Sequence, residues 1–130
     1  MKAFPKSTEP ACRPLAHLRR FYENRIFPWC NDRLGRFAAI ERLRGEELRE
    51  AFGRVIEIGF GTGLNLSHYP AAVQSLVALD PNEGMLRRAA ARIAASPITV
   101  EVVHGSAEVV PFPDRSFDCA VSFLTLCSVD

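Results

Sequence analysis

Apolar positions in the second half of the chain follow two alternating patterns. Short apolar runs rich in β-branched residues recur at strand length, and residues 82–95 between two of them carry apolar side chains at helical spacing. Ser96-Pro97 then interrupts the helical pattern. Alternation of strand and helix is typical of a parallel sheet with right-handed crossovers. The pattern therefore predicts an α/β fold with strands over 54–58, 75–80, 98–103 and 117–123.

The first 53 residues show helical periodicity without a strand pattern. Apolar residues recur every three or four positions over 14–27, which predicts an amphipathic helix, and Pro28 is expected to end or kink it. A second helix is expected between Leu34 and Gly45, followed by a short third one over 46–52. The predicted division is an N-terminal helical cap segment, residues 1–53, and an α/β half-domain, residues 54–130.

Composition and charge narrow the class of protein. The chain is 48% hydrophobic and 24% charged, which is typical of a soluble globular domain, and its overall net charge of +1 gives no reason to expect a nucleic acid or an acidic membrane surface as a partner. Residues 1–54 nevertheless hold twelve Lys or Arg against seven Asp or Glu, whereas residues 55–130 hold four against eight. The basic excess is either a solvated helical face or a segment that meets an anionic substrate or membrane surface.

The sequence carries no pattern of a disulfide framework, a metal site or a membrane span. The four cysteines show no C-x-x-C spacing, and the three histidines are scattered. No apolar run reaches spanning length, and the first residues lack the features of a signal peptide. We therefore predict a reduced, cytoplasmic protein without a bound metal.

A glycine-rich turn follows the first predicted strand. Gly59, Gly61 and Gly63 provide backbone conformations that side chains hinder, and glycine lets a ligand lie directly on the main chain. The dinucleotide fingerprint is G-x-G-x-x-G, but Leu64 occupies the place of its third glycine. Glu57, two residues before the first glycine, suits a positively charged ligand better than a pyrophosphate. Ordinary turn glycines are the alternative interpretation.

Several segments resemble, in the right order, the motifs of class I methyltransferases that use S-adenosyl-L-methionine (SAM). The run from Glu57 to Gly63 resembles their motif I, and Asp80 matches the acid that ends their second strand. Gly105-Ser106-Ala107-Glu108 resembles the segment that borders adenine, and residues 111–118 resemble the run that leads into strand four. The resemblance covers about residues 15–130. Residues 63–70 and 124–129 are similar, more specifically, to small bacterial methyltransferases and to the animal methyltransferase-like thiol methyltransferases.

The resemblance implies a Rossmann-like class I methyltransferase fold and SAM as the cofactor. The sheet is expected in the order 3-2-1-4, with strands five to seven of the family missing, so we expect a fragment of a longer protein whose own activity is doubtful. Asp80 is expected to accept hydrogen bonds from the ribose hydroxyls, although it is also a candidate helix cap. The residues expected to bind the cofactor are Glu57, Gly59, Gly61, Gly63, Asn65, Asp80, Pro81, Ser106, Ala107, Glu108, Phe123 and Leu124.

The methyl acceptor and the catalytic residues stay open at this stage. A small molecule is expected, either a thiol, a phenol or quinone, or a lipid, and no residue can be assigned as a catalytic base. The N-terminal helices are expected to cap the site, with Tyr22, Phe27 and Trp29 as acceptor contacts or core residues. Structural roles are expected for Asp118, His68, His104 and Cys127.

Two rival functions are retained. One is a nicotinamide-dependent oxidoreductase, against which the glycine spacing argues. The other is a non-catalytic module that binds SAM or a partner chain. Neither the oligomeric state nor contact with a membrane surface follows from the sequence.

Overall fold

The computed structural model describes residues 13–123, which form a four-stranded sheet preceded by helices. The strands are β1 (Gly53–Ile58), β2 (Val73–Asp80), β3 (Thr99–His104) and β4 (Cys119–Ser122). They lie in the order β3-β2-β1-β4, and every neighbouring pair is parallel. The predicted α/β fold and its strand order 3-2-1-4 are confirmed.

The core lies on the two interior strands. Val55 of β1 and Leu76 and Ala78 of β2 are almost fully buried, because interior strands of a parallel sheet are covered on both faces. Phe60 and Leu66 of the β1–β2 connection and Ala89 of helix α4 (Glu83–Ala95) pack in the same cluster. Asn82 caps α4, because its side-chain oxygen accepts a hydrogen bond from the Met85 N–H at 3.1 Å.

The N-terminal helix continues past the proline that was expected to end or kink it. Helix α1 (Arg13–Phe21) leads through a π-helical turn (Tyr22–Ile26) into α2 (Phe27–Leu34). Pro28 lies buried in the first turn of α2, directly after the wider π-turn, and the chain remains helical on both sides of it. The proline therefore marks a change of helix type, not an end.

The second predicted helix also continues past its expected stop. Helix α3 (Ala38–Glu47) runs through Gly45 and is followed by a 3₁₀ turn (Leu48–Glu50), so the separate third helix over 46–52 is wrong. One glycine costs a helix only ~1 kcal/mol relative to alanine, which α3 tolerates. Gly53 instead begins β1 with φ +65°, beside the Asp118 carboxylate.

The N-terminal helices attach to the first turn of α4. The Asn82 side-chain amide donates to the Glu23 carbonyl at 3.0 Å. Gly84 faces Asn24 so closely that an added Cβ would lie 2.7 Å from the Asn24 Cα. Within residues 13–123, no helix is long and apolar enough to cross a membrane.

Candidate functional site

The glycine-rich turn joins β1 to a short 3₁₀ helix (Leu64–His68). Gly59, Gly61 and Gly63 have φ values of +73°, +62° and +77°, a region that side chains disfavour. The N–H groups of Gly59 and Phe60 both donate to the Leu79 carbonyl, at 2.8 and 3.2 Å. The end of β2 therefore holds the turn in place.

Asp80, the last residue of β2, is bound directly to this turn. One carboxylate oxygen accepts the Gly61 N–H at 2.7 Å, and the other accepts the Asn82 N–H at 2.8 Å. Burial raises the pKa of Asp80, although the two backbone donors act in the opposite direction. Each carboxylate oxygen has a second lone pair, so the group can still accept hydrogen bonds from a ligand.

A cavity of about 480 Å³ opens at the carboxyl ends of the strands, where ligands bind in open α/β sheets. Its volume is in the range of small-molecule sites. Ten of the twelve residues predicted to bind the cofactor line it: Glu57, Gly59, Gly61, Asn65, Asp80, Pro81, Ser106, Ala107, Glu108 and Phe123.

Two predicted residues are not among the lining. Gly63 lies outside this cavity because the turn has already bent away there, and a Cβ on Gly63 would lie 3.1 Å from the Phe60 ring. Leu124, like Cys127, lies outside the described residues. A Cβ added to Gly61, by contrast, would meet no atom closer than the Gly59 carbonyl oxygen at 3.9 Å. Its backbone is thus open toward the cavity.

Glu57 is buried, and protein groups bind both of its carboxylate oxygens. The Asn65 amide donates to one oxygen and the Tyr69 hydroxyl to the other, each at 2.7 Å. Burial raises the pKa of Glu57 to about 7, although both donors and the positive charge of Arg44 lower it. Burial and the charge of Glu57 in turn raise the pKa of Tyr69. The predicted acid is therefore the centre of a hydrogen-bond network on the cavity wall.

Arg44 of α3 completes this network, and no sequence pattern predicted its role. Its Nε donates to the Asn65 side-chain oxygen at 2.8 Å, and its Nη1 donates to Glu41 at 2.6 Å and to the Gly35 carbonyl. The guanidinium carbon lies 5.3 Å from the centre of the Phe123 ring. A buried cation from the N-terminal helices therefore lines the cavity.

Asp32 of α2 is a second polar residue that sequence analysis missed. One of its oxygens binds the Thr62 hydroxyl and Arg92 Nη2, each at 2.8 Å. Arg92 also donates to the Thr62 carbonyl at 2.7 Å, and Arg36 and Arg88 lie 3.4 and 3.8 Å from the other Asp32 oxygen. We call these residues the Asp32 cluster, which fastens α2 to the glycine-rich turn and α4.

The N-terminal helices contribute an apolar part of the wall. Phe27 and Leu34 of α2 and Ile40 of α3 line the cavity. Tyr22 and Trp29, by contrast, are 51% and 54% exposed and do not line it. They are therefore neither core residues nor contacts within the cavity.

The remaining chemistry-bearing side chains have structural partners. The Asp118 carboxylate accepts the Arg54 N–H at 2.8 Å at the start of β1. His68 contacts Glu41 at 2.9 Å, and His104 contacts the Pro81 carbonyl at 2.8 Å. No group of three or more His, Cys, Asp or Glu side chains within residues 13–123 is arranged to hold a metal ion.

Comparison with known proteins identifies this α/β region. A family model described as a methyltransferase domain matches residues 55–130. A demethylmenaquinone methyltransferase of Clavibacter sepedonicus is 36% identical over 97 residues, which cover 72% of this chain and 36% of the relative. The ubiquinone/menaquinone biosynthesis C-methyltransferase UbiE of Pseudomonas fluorescens is 38% identical over 74 residues, 53% of this chain and 29% of the relative. The chain thus spans about a third of the length of these curated relatives.

Solved structures agree with this result. A SAM-dependent methyltransferase from Thermotoga maritima superposes with a TM-score of 0.53 at 29% identity, over 91% of this chain and 47% of the other. A structure from Methanococcus maripaludis superposes with a TM-score of 0.59 over 98% of this chain and 57% of the other. At 16% identity the second match is evidence for the fold alone.

Proposed function

We propose a function from one premise, that the chain belongs to the class I SAM-dependent methyltransferase family. The function that the site supports best is transfer of a methyl group from SAM to a small-molecule acceptor. One observation carries the proposal, namely that the open backbone of Gly61 lies hydrogen-bonded to the buried carboxylate of Asp80 at the cavity. SAM, when bound, supplies a methyl group activated by a sulfonium.

The residues around the cavity fit this cofactor. Asp80 would bind the ribose hydroxyls through its remaining lone pairs, and the uncovered backbone at Gly61 lets a ligand approach the turn. Ser106, Ala107 and Glu108 also line the cavity and would border the adenine. Ionised Glu57 would add a negative charge that favours a cationic ligand.

The acceptor side favours an apolar molecule, and we infer a quinone or phenol as the substrate class. Phe27, Leu34 and Ile40 contribute three apolar side chains to the cavity wall. An apolar cavity with a few polar groups binds a flat, largely apolar ligand well. The two curated relatives are named for demethylmenaquinone and for ubiquinone or menaquinone, which agrees with this class.

The cofactor assignment is tested by ligand-induced stabilisation, because a ligand that binds the folded state raises its stability by mass action. S-adenosylhomocysteine is expected to raise the melting temperature, whereas NAD is not. Asp80→Asn should weaken S-adenosylhomocysteine binding about tenfold or more in calorimetry, which corresponds to ~1.4 kcal/mol. Asp114→Asn, on an exposed loop, is the matched control. Stabilisation by NAD alone, or unchanged binding by the Asp80 variant, would contradict the assignment.

Catalysis is tested separately with SAM labelled in its methyl group. A demethylated quinone, a small thiol and a lipid serve as parallel acceptors. Transfer of the label to the quinone supports a quinone or phenol as the substrate class. Transfer to the thiol or the lipid instead would contradict this class. Binding of S-adenosylhomocysteine without transfer to any acceptor would favour the non-catalytic module.

A further inference from the structure

We propose that the outer surface of the N-terminal helices docks on an anionic lipid bilayer. The surface, here called the aromatic face, consists of exposed apolar side chains on α1, the π-turn and α2: Leu18, Phe21, Tyr22, Phe27, Trp29 and Leu34. This inference goes beyond methyl transfer and needs neither cofactor nor acceptor to be tested.

The N-terminal helices expose several large apolar side chains. Leu18, Phe21, Tyr22 and Trp29 are 65%, 57%, 51% and 54% exposed, and every side chain from 16 to 22 is exposed. Single exposed apolar residues need no explanation, but a series of large ones along one segment marks an interaction surface. The apolar side chains of α1 are therefore not covered by packing within residues 13–123.

The charges beside the aromatic face select an anionic partner. Residues 13–36 hold six arginines and two acids, and both acids are already paired with arginines. Asp32 is buried in its own cluster, and Glu23 binds Arg19 at 2.6 Å. Arg20, Arg25 and Arg33 are exposed, and no carboxylate among residues 13–123 is paired with them.

Aromatic and leucine side chains mixed with arginines are the composition of helices that lie in a membrane interface. The apolar side chains enter the boundary between headgroups and acyl chains, while the arginines bind anionic headgroups. A second copy of the chain is a poorer partner, because a symmetric contact would bring the arginines of both copies together. The charge pattern therefore favours a bilayer with negative lipids.

The aromatic face is continuous with the mouth of the cavity. The rings of Tyr22 and Phe27 lie 6.4 Å apart, and Phe27 and Leu34 are partly exposed while they also line the cavity. A bilayer seated on this surface would bring its apolar layer to the side chains that form the cavity wall. An apolar acceptor could then pass from the membrane into the cavity with little exposure to water.

Trp29 reports directly on this contact, because it is the single tryptophan of the chain. The 130-residue chain is mixed with vesicles of phosphatidylcholine alone or of phosphatidylcholine with phosphatidylglycerol. The emission is expected to shift to shorter wavelength with the anionic vesicles only, and the shift should fall as salt is added. An unchanged emission, or an equal shift with neutral vesicles, overturns the proposal. A shift that depends on protein concentration without vesicles assigns the face to self-association and also overturns it.

Charge reversal separates the arginines from the apolar side chains. Arg25→Glu combined with Arg33→Glu should lower the partition onto anionic vesicles in co-sedimentation by about a hundredfold, roughly tenfold for each reversed residue. Arg49→Glu combined with Arg87→Glu, at exposed positions on other elements, is the control with the same change in net charge. Equal losses in the two pairs would reduce the effect to net charge and overturn the docking surface. Circular dichroism of both pairs verifies that each remains folded.

Discussion

The sheet and the N-terminal helices solve the same packing problem in opposite ways. In the sheet, Glu57 and Asp80 are buried and hydrogen-bonded, and the apolar side chains of the interior strands β1 and β2 are covered. The helices leave Leu18 and Trp29 on the outside. A buried polar group is stable only when its partners are in place, whereas an exposed apolar group becomes stable when a partner covers it. The interior of the sheet is therefore stabilised by contacts within residues 13–123, whereas the helices expose a surface for contact.

The contrast depends on how the helices are fastened to the sheet region. Among the attachments of α1, the π-turn and α2, the Asp32 cluster and the close approach of Gly84 to Asn24 differ in kind. The Asp32 cluster is ionic and reaches the glycine-rich turn, while the Gly84 contact is steric and reaches α4. Disturbing each attachment separately shows whether the two regions are one cooperative unit.

The largest effect is expected from Asp32→Ala. Removing the carboxylate leaves Arg92 and the Thr62 hydroxyl without their shared partner, and breaking a buried ion pair costs about 3–5 kcal/mol. The free energy of unfolding is measured by denaturant titration, with Asp114→Ala as a control expected to stay within about 0.5 kcal/mol. Hydrogen exchange should show α2 losing protection while β1 and β2 keep theirs. Equal loss throughout would mean that the helices and the sheet unfold as one unit.

The next effect lies within the sheet and depends on pH. The pKa of Glu57 is raised from its ordinary value of 4.5 to about 7 in the folded protein. Between pH 4.5 and pH 7 the folded state therefore keeps a proton that the unfolded state has released. The contribution of this raised pKa to the free energy of unfolding is complete below pH 4.5, falls as the pH rises and is lost above about pH 7. The loss is about 3 kcal/mol for a shift of this size.

Glu57→Gln is expected to remove this part of the pH dependence. Melting curves between pH 4 and pH 8 should be flatter for the variant than for the parent protein. Glu50→Gln, at an exposed position, should keep the parent slope and serves as the control. If the Glu57 variant and the parent show the same slope, the buried carboxylate is not the titrating group.

The strands and most of the cavity lining could be predicted from the sequence because their signals are local. The strand and helix patterns, the glycine spacing and the acid after β2 each lie within a few residues, and most of the cavity lining follows from them. The roles of Arg44 and Asp32 could not be predicted because they depend on partners that are distant in the sequence. Their partners Asn65 and Thr62 lie 21 and 30 residues away, and nothing in the chain distinguishes one arginine among its sixteen basic residues as buried.

The errors in the helices have the same origin. Gly45 and Pro28 are local signals for the end of a helix, but the chain is helical at both positions. Whether a glycine or proline ends a helix depends on what surrounds it, and at these two positions the surroundings are compatible with helix. The exposure of Tyr22 and Trp29 is likewise a tertiary property, because periodicity predicts an apolar face but not what covers it.

The smallest expected effect compares two glycines that local sequence treats alike. Gly84→Ala places a Cβ 2.7 Å from the Asn24 Cα, so the N-terminal helices must move, at a cost of about 2 kcal/mol. Gly45→Ala meets only His68 Nδ1 at 3.7 Å, an ordinary contact, and should stabilise α3 by ~1 kcal/mol because alanine is the better helix former. Denaturant titration of the two variants measures both signs. If both substitutions stabilise, the contact at Gly84 does not hold the helices, and the Asp32 cluster and the hydrogen bond from Asn82 to the Glu23 carbonyl fasten the aromatic face to the site.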